Sequence, residues 1–302
     1  MAHDGVTNVG AGSVWLLAVR PKTLWAAVAP VLLGTAFAVE AGRFHALAAS
    51  CALLGAVLIQ IGTNLANDYK DFERGADTAA RKGPLRVTQA GLLTPAEVKR
   101  AAVLAFALAF ASGLYLIVRG GWPVLALGVL SILSGVAYTA GRYALAYTGL
   151  ADLFVLVFFG PVAVAGTYYV QALRLTTEVV AAGLGPGLLA TAILVANNVR
   201  DVNEDRAANK RTLVVRFGRR FGVQLYGACV LGAAIVPAAL LILTEGHTGT
   251  AVAAFLAALV GGRLAWTLEG TSDPAVLNPL LGKTALLLFA YSVAFGLGWA
   301  LT

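Results

Sequence analysis

Uncharged apolar runs of about 20 residues recur along the whole chain, and roughly that length of helix crosses a bilayer. In lipid, a segment must satisfy its own backbone hydrogen bonds, which leaves helices as the natural form for such runs. Hydropathy places nine spans near 16–38, 45–66, 96–118, 122–140, 149–170, 178–197, 221–244, 250–268 and 281–301. Of 302 residues, 59% are hydrophobic and 12% charged, about half the charged share of a soluble domain. The segments also lack the polar outer faces that helices of a soluble protein need. The expected class is an all-α polytopic membrane protein with the lipid bilayer as its partner, and nothing in the chain calls for nucleic acid. Cys51 and Cys229 fall within apolar runs and read as small core residues. No cleavage pattern follows the first run, so it is expected to be a retained span.

Positive charge sets the orientation. Of the 22 Lys and Arg, all but Arg43, Arg119 and Arg174 fall on one side of the expected spans. The positive-inside rule puts that side, with the amino terminus and both long polar loops, in the cytoplasm, and an odd number of spans leaves the carboxyl terminus outside. Trp15, Trp122, Trp266 and Trp299 sit at span ends, as an interfacial belt would place them, whereas Trp25 does not. The long loops follow the second and sixth spans. Residues 1–302 therefore read as one domain in which spans one to four and five to eight form a parallel duplication.

The two loops carry the chemistry. The first motif lies in "IQIGTNLANDYKDFERGADTAARKGPLR" (59–86), where Asn64, Asn67, Asp68, Asp71 and Asp77 follow an apolar run. The second is "ANNVRDVNEDRAANKRTLVVRFG" (196–218), with Asn197 and Asn198 before Asp201 and Asp205. Spacings of three and four place oxygens in columns on a helix face. Carboxylates this crowded repel unless cations bridge them. Hard oxygen ligands suit Mg²⁺, which is commonly completed by substrate phosphates. Lys70, Arg81, Lys82 and Arg86 in one loop, and Arg200, Lys210 and Arg211 in the other, are interleaved with the acids. A bare cation site would not want them, but a magnesium–diphosphate site would. Charges at membrane borders often only mark topology, yet acids contribute little to that signal. Asp152 lies just inside the fifth span, where an ionisable residue points to function or to an interhelical hydrogen bond. Tyr138, Tyr143, Tyr147 and Tyr168 could offer ring faces to a carbocation.

At these residues the chain resembles the UbiA superfamily of intramembrane prenyltransferases, and most of all its 1,4-dihydroxy-2-naphthoate polyprenyltransferase branch. "VRPKTL" (19–24), "NDYKD" (67–71), "GPLRVTQAGLL" (83–93), "FFGPVAVAGTYYVQ" (158–171) and the second acidic motif carry the resemblance in order. The wider superfamily often has Asp four residues after Asp71. Here Gly75 stands there and Asp77 is the nearest acid. Asn209 stands where Gly is expected, and Arg142 where Pro is common. The resemblance implies nine helices around a central cavity capped by two cytoplasmic polar loops, in a bacterial cell membrane. It implies a polyprenyl diphosphate donor, 1,4-dihydroxy-2-naphthoate as acceptor, and Mg²⁺. Asn67, Asp68, Asp71, Asp77, Asp201 and Asp205 would be its ligands, with Asp68, Asp71, Asp201 and Asp205 catalytic. Lys22 would face the acceptor or the phosphates. The implied reaction in menaquinone synthesis releases diphosphate and CO₂. A prenyltransferase for another acceptor, such as 4-hydroxybenzoate, stays open at this point. So does a membrane transporter, although transporter charges usually lie near the midplane.

Overall fold

The computed structural model describes residues 11–75, 83–141 and 144–302. Asp77, Arg81, Lys82, Arg142 and Tyr143 lie outside the described residues. In chain order the helices are α1 (Ala11–Val19), α2 (Pro21–Glu40), α3 (Ala46–Glu73), α4 (Pro95–Gly120) and α5 (Trp122–Ala137). Then come α6 (Leu145–Thr148), α7 (Ala151–Val157), α8 (Ala163–Ala172), α9 (Thr177–Arg200) and α10 (Val202–Ala207). The last five are α11 (Leu213–Phe217), α12 (Arg219–Leu243), α13 (Ala251–Leu256), α14 (Gly262–Gly270) and α15 (Pro274–Leu301). Wide turns at Phe158–Val162 and Ala257–Gly261 join α7 to α8 and α13 to α14. No strand occurs among the described residues.

Eight helical segments among the described residues are long and apolar enough to cross a membrane. The other long apolar helix, α5, has 16 residues, or about 24 Å at 1.5 Å per residue. That falls short of a hydrocarbon core of about 30 Å, so the expected span at 122–140 is a shorter element. It buries none of its residues.

The expected span at 16–38 is broken at Arg20, whose φ is +56°. The residue before a proline is disfavoured in the α region, and Pro21 then opens α2. The break frees the Val19 carbonyl, which takes the Asn64 side-chain amide at 2.9 Å. The same amide nitrogen lies 2.8 Å from Thr23 Oγ1. Asn64 therefore staples α3 to the α1–α2 corner.

α9 runs through the centre. It packs against α12, α15 and α7, while α2 packs against α15 and α8. Two of its glycines permit a close approach of backbone to backbone. A Cβ on Gly183 would lie 2.6 Å from Pro161 Cα, and one on Gly187 would lie 2.9 Å from Gly160 Cα. This contact seats α9 in the turn between α7 and α8, where Gly160 leaves helical geometry. Two buried tyrosine hydroxyls find partners across helices. Tyr291 donates to the Ala233 carbonyl at 2.8 Å, and Tyr226 pairs with Thr284 at 2.9 Å. Trp122 and Trp266 are exposed. Trp299 departs from the expected belt: it is buried, stacked on Phe37 at 4.3 Å and on His247 at 3.9 Å.

Candidate active site

The first acidic motif is helical rather than a loop. α3 continues seven residues past the expected span end, because Asn67 to Glu73 contains no glycine or proline to stop it. The stop is Gly75, at φ +67°, whose amide returns to Phe72 O at 2.9 Å. A left-handed residue just past a helix end is the usual glycine position, which accounts for Gly75 here.

The last turns of α3 send their two aspartates in different directions. Asp71, 1% exposed, accepts from Arg86 Nη2 at 3.2 Å and from the Tyr147 hydroxyl at 3.3 Å. Asp68, also 1% exposed, accepts from the Thr88 amide at 3.1 Å and lies 3.7 Å from Arg20 Nη2. The segment 83–94 thus folds back over α3 and supplies partners to both carboxylates. Arg20 was missed by the sequence argument, which favoured Lys22. Two residues earlier, the left-handed corner aims Arg20 at the motif.

The second motif straddles a helix break. α9 ends at Arg200, Asp201 sits in the turn, and Asp205 lies on α10. The two are therefore not on one uninterrupted helix face, but an i to i+4 bond from Asp205 N to Asp201 O at 2.8 Å keeps the turn together. Arg200 grips Asp201 with two nitrogens at 2.6 and 2.5 Å, and also donates to Asn197 at 2.7 Å and Asn278 at 2.9 Å. Asn209 adopts φ +55°, a conformation that Asn tolerates better than most residues. This explains how it can occupy a glycine position.

One side chain ties the motifs together. Lys210 Nζ lies 3.6 Å from Asp71 and 3.6 Å from Asp205, and 5.3 Å from the centre of the Tyr147 ring. Burial pushes the Asp205 carboxyl up to about 6, with Asp201 and Asp71 adding to the rise and Lys210 opposing it. Burial, then Asp71, pushes the Tyr147 hydroxyl up to about 12. Burial is the first cause of both shifts, and neighbouring carboxylates add to each.

Two cavities meet at this place. A polar one of about 60 Å³ is lined by Asp71, Asp152, Asp201, Glu204, Asp205 and Lys210, among others. An apolar chamber of about 450 Å³ runs beside α3 from Asn67 down to Cys51, with α5 as one wall. That volume lies in the range of small-molecule sites. Asn67, Arg86, Tyr138, Leu194 and Asn197 line both.

Of the sequence-predicted residues, Asn67, Asp71, Arg86, Tyr138, Asp152, Asn197, Asn198, Asp201, Asp205 and Lys210 come together around the polar cavity. Others do not reach it. Asn64 lines only the chamber. Lys22 and Arg211 are exposed, and Lys70 pairs with Glu73 at 2.7 Å. Asp68 and Arg200 stand behind the lining, in contact with its neighbours. Tyr168 is buried and takes a bond from Arg174 at 3.2 Å, outside both cavities. Glu204, which lines the polar cavity, was not anticipated, since nothing separates it from other loop acids in the sequence.

The donor set fits Mg²⁺ shared with a phosphate ligand better than a closed protein cage. Among the described residues no three acidic, His or Cys side chains converge on one point. Mg²⁺ commonly takes one or two carboxylates and leaves the rest of its octahedron to water and phosphate. Asn67 Oδ1 is buried without a hydrogen-bond partner among the described residues, an oxygen available to such an ion.

Comparison with known proteins agrees with this geometry. Residues 27–292 match the UbiA prenyltransferase family. A 1,4-dihydroxy-2-naphthoate octaprenyltransferase of Escherichia coli (strain K12) is 40% identical over 290 residues, 94% of each chain. One of Mycobacterium tuberculosis (strain ATCC 25618 / H37Rv) is 38% identical over 93% of this chain and 94% of its own. In fold, the chain is similar to a UbiA homolog from Archaeoglobus fulgidus whose structure has GPP and Mg²⁺ bound. The TM-score is 0.69 at 16% identity, covering 94% of this chain and 99% of that one. With the family matched over residues 27–292 and relatives of 38–40% identity covering over nine-tenths of the chain, this chain belongs to the UbiA prenyltransferases.

Proposed function

We propose that this protein transfers a polyprenyl group from its diphosphate to 1,4-dihydroxy-2-naphthoate, releasing diphosphate and CO₂ and giving the prenylated naphthalenediol, the reduced form of demethylmenaquinone. The observation that carries the reading is Lys210, whose ammonium lies 3.6 Å from a carboxylate of each motif in a polar cavity that shares five lining residues with the apolar chamber. A substrate with an anionic head and a long apolar tail fits that pair of cavities. The names of the relatives support the naphthoate acceptor.

Asn67, Asp71, Asp201 and Asp205 would hold Mg²⁺, with Asp68 positioning the end of α3 through Arg20 and Thr88. Mg²⁺ supplies charge neutralisation of the departing diphosphate. Arg86 and Lys210 leave their carboxylates for the phosphate oxygens as donor enters, since cations paired with acids can be shared with a diphosphate. The chamber keeps water from the allylic carbon while its bond to oxygen breaks. Tyr138, at the junction of the cavities, offers a ring face to the developing positive charge. The acceptor ring attacks through carbon, and loss of its carboxylate as CO₂ returns the electron pair to the ring. The reading takes residues 1–302 as a single domain formed by parallel duplication. The matched pairings of α3 with α4 and of α9 with α12 support that origin. Both motifs face the cytoplasm in it, as the distribution of Lys and Arg requires.

The test is to incubate purified protein with Mg²⁺, a polyprenyl diphosphate and either 1,4-dihydroxy-2-naphthoate or 4-hydroxybenzoate, and to weigh the product by mass spectrometry. A prenylated naphthalenediol lacking the carboxylate is expected. Product from hydroxybenzoate alone would move the protein to another acceptor.

A further inference from the structure

Asp68, Asp71, Asp201 and Asp205 each have an Arg or Lys nitrogen within 4 Å. Asp152 has no such ion pair among the described residues. It is 7% exposed, and neither carboxylate oxygen has a hydrogen-bond partner among the described residues. Its main chain is anchored: the carbonyl lies 3.4 Å from Thr191 Oγ1 on α9. The residue is thus anchored through its main chain while its buried carboxylate stands without a partner among the described residues. An ionisable group at membrane depth with no partner marks function more often than packing.

Its position narrows the function. Asp152 lines the polar cavity, and Val155, one helical turn further on, lines the chamber. The carboxylate thus stands near the junction to which Tyr138 and Leu194 also belong. A donor with its diphosphate among the acids and its tail in the chamber has its reacting carbon at that junction. The ring of the second substrate must reach the same carbon. An ionised carboxylate is acceptor-only. It repels the diphosphate and any carboxylate of the aromatic substrate, and it suits a hydroxyl.

We propose that Asp152 binds the aromatic substrate, its carboxylate accepting a hydrogen bond from a ring hydroxyl and so turning the substrate's own carboxylate away. The inference rests on the prenyl-transfer reading above and names a binding residue for its second substrate.

The test uses the full chain purified in detergent with Mg²⁺ and geranyl diphosphate. The acceptors are 1,4-dihydroxy-2-naphthoate and its two analogues that each lack one hydroxyl. Asp152→Asn is expected to raise the KM for the dihydroxy acceptor about tenfold or more, the usual consequence of losing a hydrogen bond to a charged group. The KM for geranyl diphosphate should stay within about twofold, because uniform binding of the donor is untouched. Removing the bound hydroxyl from the acceptor should penalise wild type strongly and Asp152→Asn little, the signature of a coupled pair. Asp152→Glu should recover part of the loss. Thermal unfolding separates binding from scaffolding: a carboxylate without a partner adds no stability, so Asp152→Asn should melt at or above wild type. An unchanged acceptor KM, a donor KM that rises instead, or a melt well below wild type would each overturn the proposal. Wild type that prenylates no aromatic acceptor would overturn the functional reading and this inference with it. Active wild type with an indifferent Asp152→Asn would remove this inference alone.

Discussion

Lys210 and Asp71 are the residues on which the two motifs converge, and substitutions there separate chemistry from folding. Asp71→Ala and Asp201→Ala should each lower turnover at least about 100-fold, on the scale of removing one preorganised electrostatic contact from a closed site. Each leaves a buried arginine without its acid, Arg86 in one case and Arg200 in the other, so size-exclusion profiles must accompany the assay. Either variant, purified and monodisperse, turning over at the wild-type rate would refute the assignment. Lys210→Ala should weaken donor binding more than Lys210→Arg, because it removes the one cation within 4 Å of both Asp71 and Asp205 among the described ion pairs; donor KM measures this. Most of these residues were legible from spacing and charge. Arg20 was not. Its role depends on a left-handed backbone at +56°, a turn that hydropathy passes over. Lys22 carries the same charge two positions on and faces solvent.

Helix ends decided how the elements assemble, and these are where sequence and structure part. Hydropathy ends the second span at the first polar residues, but an α-helix ends only where its backbone must, and α3 runs to Glu73 before Gly75 stops it. The acids thereby gain the rigidity of a helix. Pro21 constrains Arg20 and so favours the break before α2, but the expected span at 16–38 runs straight through it. The length of α5 could not be read, since Tyr138 to Ala140 remain apolar enough to extend a window without extending a helix. The close seating of α9 against Gly160 rests on absent side chains. Gly187→Val should destabilise by roughly 1–3 kcal/mol, as overpacking does. It should also shift Asp152, which lies on the helix entering that turn. At the surface, Thr94 closes a capping box on α4 with Glu97. Thr94→Ala should lower stability by about 1 kcal/mol with no effect on activity, as read from parallel melting curves and assays.

For the whole molecule, the proposed function seats the donor's tail in the chamber beside α3. Gly166 lines it, and a Cβ there meets nothing within 4 Å. A larger side chain at this position can enter the chamber with no clash at its Cβ. Gly166→Phe should cut kcat/KM for an octaprenyl donor about tenfold or more and spare a geranyl donor, the size of discrimination that pocket shape alone supplies. Equal effects on both donors would show that the long tail does not use this space. The cations around the acids bear on the opposite case, when no metal is present. Asp71, Asp201 and Asp205 already have Arg86, Arg200 and Lys210 as counter-ions, so emptying the site leaves these three carboxylates paired. EDTA should therefore silence the protein without unfolding it, and added Mg²⁺ should restore full turnover at once. In a cell short of divalent ions, such a protein would wait intact in the membrane rather than be degraded and made anew.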